Sequence, residues 1–294
     1  MTAKQITVDD FARLFSEQPC VYDSPAFCIL NSSKVQDVKA VAIFEGDVAL
    51  AGQIFGLRDG LWRAPFSAPY SAPSLKAQID IDQFYSLAVN ELGDIKLALP
   101  PMAYCPVAVP SVGTRLDEAN FHYPMERFAD FEAFLSRSGR YSHHRALRHP
   151  FRFCRTDDIP RAYALISENR RAMGYPLAMS LEQVEETVKI IPADFFILTL
   201  DGLDLAAAMV YRVSPGVAQV IYWGDLPEAR QYRAMNHLAY RVIQWYAENA
   251  PEISILDIGP ASTDGVRNEG LCQFKLSIGC VETPKPIISL HAGC

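Results

Sequence analysis

Three charged side chains stand in apolar surroundings where a solvated charge is not expected. Asp257 interrupts the apolar strand pattern Ile255 to Ile258, and a carboxylate there must be paired or functional because a lone buried charge is costly. Asp225 closes Tyr222-Trp223-Gly224-Asp225 at the end of a β-rich run. An aspartate so placed either orients or deprotonates an incoming group, or makes a turn or helix cap. Lys275 lies among Phe274, Leu276 and Ile278. A low local dielectric would strengthen its ammonium toward developing negative charge, whereas the plainer reading packs its stem on Phe274 and sends the ammonium to water. Asn236 and Asn268 are of a type that binds polar groups or caps helices.

A fourth feature is collective. No acid occurs between Glu132 and Asp157, yet Arg137, Arg140, Arg145, Arg148, Arg152 and Arg155 do, with His143, His144 and His149. The rest of the chain then holds 21 Lys and Arg against 34 Asp and Glu. One local anion-binding surface that includes Arg145 and Arg148 fits this asymmetry. A solvated helix face whose arginines pair with the acidic remainder fits it too.

The elements that position these residues are read from an internal repeat. A strand from Lys39 runs into a turn at Gly46, a second strand covers Val48 to Leu57, and a turn follows at Gly60. At an offset of 156 residues, Gly202 and Gly216 punctuate equivalent strands, so a gapless duplication is expected. Helical spacing follows each hairpin, over Asp80 to Leu92 and Ala234 to Asn249, and a short apolar strand follows each helix. Thr7 and the run Thr156-Asp157-Asp158 supply N-cap chemistry at the start of each half, and Ser180 with Gln183 fits a capping box. The sequence predicts a mixed α/β (α+β) fold whose sheets carry helices. The Rossmann, P-loop, nucleophile-elbow and zincin motifs are missing from the sequence.

The repeat of helix, hairpin, strand, helix and strand resembles the GNAT acyltransferase fold. Its duplication, together with Gln244-Trp245-Tyr246-Ala247, Leu256-Asp257-Ile258-Gly259 and the run Gly270-Leu271-Cys272-Gln273-Phe274-Lys275-Leu276-Ser277-Ile278-Gly279, resembles the Fem-like peptidoglycan aminoacyltransferases. The resemblance implies two tandem GNAT-like domains: a degenerate one at 1–115, a basic linker at 116–150, and a domain at 151–294 carrying the site. It implies transfer of an acyl or aminoacyl group from acyl-CoA or aminoacyl-tRNA to an amine acceptor, a small molecule or cell-wall precursor, without a metal. It puts Lys275 at a strand edge facing the cleft as the oxyanion-stabilising cation. Tyr222, Trp223 and Asp225 lie where GNAT strands splay, and Phe274 beside the lysine joins the substrate-binding set. Arg230-Gln231-Tyr232-Arg233-Ala234-Met235 stands where ordinary GNAT enzymes carry the glycines of the CoA diphosphate loop, so Arg230 and Arg233 would act by charge-assisted contacts. The alternative is a duplicated GNAT fold that is catalytically inactive and binds a ligand or a protein.

Composition narrows the setting. With half of its 294 residues hydrophobic and a formal charge of −7, the chain is neither disordered nor a general nucleic-acid binder. No apolar run reaches a membrane span and no signal peptide is recognisable, which makes the cytoplasm the expected location. Seven cysteines without a C-x-x-C pair read as buried free thiols.

Overall fold

The computed structural model describes residues 1–104 and 107–292; Cys105 and Cys294 lie outside them. The first part of the chain forms β1 (Thr2–Ile6), α1 (Val8–Leu14), α2 (Pro25–Leu30), β2 (Asp37–Glu45), β3 (Val48–Arg58) and β4 (Leu61–Ala64). After these come β5 (Ser74–Leu75), α3 (Ile81–Leu92), β6 (Ile95–Ala98) and β7 (Thr114–Pro124). Next are α4 (Phe131–Phe134), α5 (Arg137–Ala146), β8 (Arg152–Thr156), α6 (Ile159–Met173), α7 (Leu181–Thr187) and β9 (Ala193–Leu200). The chain continues through β10 (Leu203–Ser214), β11 (Val217–Asp225), α8 (Ala234–Asn249) and β12 (Ile255–Pro260). It ends with β13 (Ser262–Thr263), β14 (Val266–Arg267), α9 (Glu269–Ser277) and β15 (Val281–Leu290).

Two compact units result. The first contains Met1–Ala119, Ser262–Val266 and the stretch beginning at Thr283; the second contains Asn120–Ala261 and Arg267–Glu282. Strand order in the first is β1-β2-β3-β4-β6-β15, all neighbours antiparallel except the parallel pair β4/β6. In the second it is β8-β9-β10-β11-β12-β7, again antiparallel except for the parallel pair β11/β12. The identical order and polarity express the duplication. Neither unit is contiguous in sequence. The sixth strand of the first unit is the chain's last strand, and that of the second comes from the connecting segment, because hydrogen-bond pairing, not chain proximity, completes each sheet.

The repeat is also not gapless. Glu45 pairs with Val48 around Gly46-Asp47, while Leu200 pairs with Leu203 around Asp201-Gly202. Gly46 therefore matches Asp201, one residue short of the offset that holds at the second turn. The 12-residue β10 absorbs the extra residue relative to the 11-residue β3 at a register shift with β11 between Arg212 and Ser214 that β3/β4 lacks, whereas the shift between Asp204 and Ala206 has its counterpart between Ala49 and Ala51 of β3.

Burial follows the strand period in the first unit. Val41, Ile43, Ala51 and Phe55 pack with Phe84, Tyr85, Ala88 and Val89 of α3. Ala40, Ala42 and Ile54 face the other way, onto Phe11, Phe15 and Cys28. The predicted caps are present: Thr7 accepts from the Asp10 amide, Asp158 from Arg161, and Ser180 with Gln183 closes a capping box. In the second unit the buried Asp194 accepts from Arg155 Nε (2.8 Å), Arg212 Nε (3.1 Å) and Tyr246 Oη (2.8 Å), tying β8, β10 and α8 to β9.

Helix α5 packs Gly139, His143 and Ala146 inward, a spacing of four and three residues along one face. Glycine is required at 139, since a Cβ would fall 1.8 Å from the Ser277 carbonyl. His143 and His237 are both buried, among Phe131, Tyr240 and Phe151. Burial pushes His237 down to about 4, assisted by Arg241 and His143. It also lowers His143, against the opposing pull of Glu132. An unfolded chain takes up these protons first, so the stability involved is fully present above the ordinary histidine range and is lost as pH falls toward 4. At about 1.36 kcal/mol per pH unit of displacement, His237 accounts for roughly 3 kcal/mol of that loss. Urea midpoints measured from pH 7 down to 4 should fall steeply for the wild type and less so for His237→Phe, which keeps the stack on Phe151. Parallel slopes would exclude His237 as the cause.

Candidate functional site

The candidate site is the place in the second unit where two parallel strands part. β11 and β12 are paired only from Val217 to Gln219, against Ile255 to Asp257, while β11 stays paired with β10 as far as Asp225. Residues 220–225 thus present an edge that β12 does not cover. Two bulges flank the fork: the β10/β11 register shifts between Met209 and Val210, leaving Ile221 as the extra residue, and the β12/β7 register shifts between Asp257 and Gly259. Bulges bend the strand that carries them, which is how neighbouring strands come apart.

Asp257 sits at the fork with no exposed surface. Its oxygens accept from Asn120 Nδ2 (2.9 Å), Gln219 Nε2 (2.5 Å) and the Gly259 amide (2.9 Å). Lys275 does not lie on a strand edge. It is on α9, 2% exposed, with Nζ donating to the carbonyls of Ile258 (3.0 Å), Gly259 (2.7 Å) and Pro260 (2.9 Å). The ammonium satisfies carbonyls at the β12 bulge, and this places Lys275 on the inward side of α9. Burial pushes this lysine down to about 8, opposed by the charge of Asp257. All three ammonium hydrogens have acceptors.

The part of β11 that β12 leaves unpaired carries aromatic groups on its two sides. Trp223 meets Phe274 of α9 edge-on, with ring centroids 6.0 Å apart. Tyr222 faces α6, where the Arg170 guanidinium lies 5.4 Å from its ring. The Tyr222 hydroxyl oxygen accepts from the Ala178 amide at 3.1 Å, and burial raises its pKa. Gly224 leaves room for Asn169, whose Oδ1 would be 2.3 Å from a Cβ there. Asn169 Nδ2 donates to the Asp225 carbonyl at 2.7 Å.

Asp225 is 9% exposed. Burial raises its pKa, while Arg230 and the Met235 amide draw it down. Its carboxylate thus answers the first turn of α8, the place where a CoA diphosphate would seat in an ordinary GNAT enzyme. Arg233 precedes that helix in the left-handed region at φ 60° and makes no side-chain cap. This helix start carries no glycine and lies near the Asp225 carboxylate, unlike the glycine-lined helix N-termini that seat a diphosphate.

The remaining expected residues are placed apart. Asn268 caps α9, accepting from the Leu271 amide at 3.0 Å, and Asn236 lies half-buried in the first turn of α8. Arg145 is on α5 and Arg148 just beyond it. The sequence reading missed Arg170, Asn169, Asn120 and Gln219. A signal existed for Asn169, which shares the inner face of α6 with Ala162, Leu165 and Ile166. Among the described residues, no group of three or more His, Cys, Asp or Glu is arranged to hold a metal.

In the first unit the equivalent space beyond β4/β6 is taken by the unit's own chain. The Ser71 amide donates to Ala98, and β5 pairs with β3. Asp23, pushed up to about 6 by burial, accepts from the Cys20 thiol (3.1 Å) and the Ala72 amide (3.2 Å) and anchors that segment.

No family model matches the chain, and no curated protein sequence does. Its architecture recurs in solved structures. FemX is 11% identical with a TM-score of 0.65, over 99% of this chain and 98% of that one. L-PGS from Bacillus licheniformis is 12% identical at 0.57, over 98% and 91%. A tandem GNAT protein from the clavulanic acid biosynthesis pathway is 10% identical at 0.56, over 99% of both chains. At these identities the likeness is one of fold, and the fold of this chain is the duplicated GNAT architecture seen in the Fem-like structures.

Proposed function

We propose that the protein is an N-acyltransferase that passes an aminoacyl group from an ester donor, such as an aminoacyl-tRNA, to an amine, at the free edge of β11. The observation that carries this reading is the early end of the β11/β12 pairing at Gln219 and Asp257. Backbone amides on the uncovered side of residues 220–225 are fixed donors for a carbonyl oxygen that becomes an oxyanion, and preorganised donors of this kind are the main source of rate in acyl transfer. The amine nitrogen attacks the ester carbonyl, the carbon–oxygen bond breaks, and the departing oxygen takes the Tyr222 hydroxyl proton. That hydroxyl is suited to donate because its oxygen already accepts from Ala178. Asp225, whose pKa is raised by burial, receives the proton that the amine loses. Trp223 and Phe274 form the apolar wall, and Arg170 meets an anionic group of a substrate such as a cell-wall precursor or acidic peptide. Lys275 and Asp257 act as positioning residues that keep the fork open.

Choice of an ester donor over acyl-CoA rests on the start of α8, where Asp225 and Arg233 stand in place of a diphosphate cradle. Incubation with labelled aminoacyl-tRNA or labelled acetyl-CoA, each with amino-sugar and peptide amine acceptors, tests both parts. Label should pass to an acceptor from the aminoacyl ester alone. Transfer from acetyl-CoA would overturn the donor assignment, and transfer from neither would overturn the acyltransferase reading.

A further inference from the structure

The basic segment offers a surface that the proposed transfer site does not use. Of its six arginines only Arg155 is ion-paired, with Asp157 and Asp194. Arg137, Arg140, Arg145, Arg148 and Arg152 have no carboxylate partner among the described residues, so their charge is not spent on the acidic remainder of the chain. Glu132, close to α5, is engaged by His144 at 2.9 Å, with His143 at 4.0 Å, and its backbone carbonyl accepts from Arg140 Nη2 at 3.1 Å. Because Gly139, His143 and Ala146 face inward, Arg137, Arg140, Tyr141, His144 and Arg148 align at intervals of three and four residues on the outer face.

Large apolar side chains accompany this stripe. Phe134, Tyr141 and Leu147 are 41% to 61% exposed. Phe134 precedes α5, Tyr141 lies on it, and Leu147 follows it. Other exposed apolar residues, such as Val48, Leu203 and Val266, are scattered at the ends of short hairpins.

We infer that this outer face of α5 docks the protein on an anionic bilayer surface. Arginines held at a membrane surface attract acidic headgroups, while exposed leucine and aromatic tips enter the boundary between headgroups and acyl chains. A nucleic acid would use the arginines, and could stack on the aromatic rings, but has no use for Leu147. The outer side of one packed helix is also convex, which suits a planar surface better than a strand that must be gripped in a groove. No helix among the described residues is long and apolar enough to cross a membrane, so the association envisaged is peripheral. It stands on the α5 face alone, whether or not the transfer reading holds.

The test is sedimentation of the full chain with phosphatidylcholine vesicles, with and without phosphatidylglycerol. Wild type should pellet only with the anionic vesicles and should be released by salt. Each arginine removed should weaken partition about fivefold, so Arg140→Gln with Arg148→Gln should lower it about 25-fold. Arg140→Lys, which keeps the charge, should bind like wild type, and Leu147→Ser should weaken vesicle binding without altering retention on an RNA oligonucleotide. These side chains are on the surface, so melting curves should not move. Absence of pelleting, or equal pelleting on neutral vesicles, would overturn the inference. RNA binding that depends on the same arginines, without vesicle binding, would overturn it in favour of a nucleic-acid surface.

Discussion

Replacement of Lys275 by methionine should destabilise the second unit by about 1–3 kcal/mol, the cost of leaving a buried acceptor without its donor. The stem survives in the variant. What is lost is the donor to the carbonyls of Ile258, Gly259 and Pro260, and buried acceptors left without donors keep their full desolvation cost. A pH signature accompanies the change. With the lysine pushed down to about 8 by burial, the unfolded chain holds its proton longer than the folded one. Between about pH 8 and the ordinary lysine range, this group therefore makes stability rise with pH, and its burial cost is fully present below that window. Lys275→Met should lose that rise. Denaturant midpoints at pH 7 and pH 10 for both proteins would settle the matter; a loss below about 1 kcal/mol would mean that water replaces the ammonium and that the clasp does not hold the fork.

Tyr222→Phe should leave folding intact and lower turnover about 100- to 10,000-fold, the usual contribution of a positioned acid. The phenyl ring keeps its place under Arg170, and the Ala178 amide loses an acceptor at an exposed position. Substrate affinity should change little, because the proton moves in the transition state and not on binding. Transfer from an activated ester with a better leaving group should restore much of the lost rate, since such a group needs less protonation. A variant as fast as wild type, or one whose defect persists equally with the activated donor, would remove Tyr222 from the acid role.

Several parts of this organisation were legible without coordinates. Thr7, Asp158 and Ser180 acted as caps because their bonds lie within three residues of themselves. The strand–turn–strand units could be read from glycines and alternating apolar residues, and the duplication from their recurrence. Asp257 was conspicuous as a carboxylate in an apolar strand, and it proves to be paired by Asn120, Gln219 and Gly259. The identity of those partners was not legible. Asn120 and Gln219 are far from Asp257 in sequence and come to it only when β7 and β11 flank β12.

Local chemistry is therefore what the sequence determined: caps, turns, the apolar faces of α3, α6 and α8, and the uncompensated arginines of one segment. Tertiary structure decided which strand completes which unit, because a strand end pairs with whatever edge is free. It also placed Lys275 not at the expected strand edge but on a helix whose ammonium faces the β12 bulge, and it buried Asp225 near the start of α8. The placement of Lys275 turns on that register shift. A single inserted residue such as Ile221 or Ile258 leaves no mark in composition or periodicity, yet it bends a strand, frees backbone groups and so selects the distant side chains that must satisfy them.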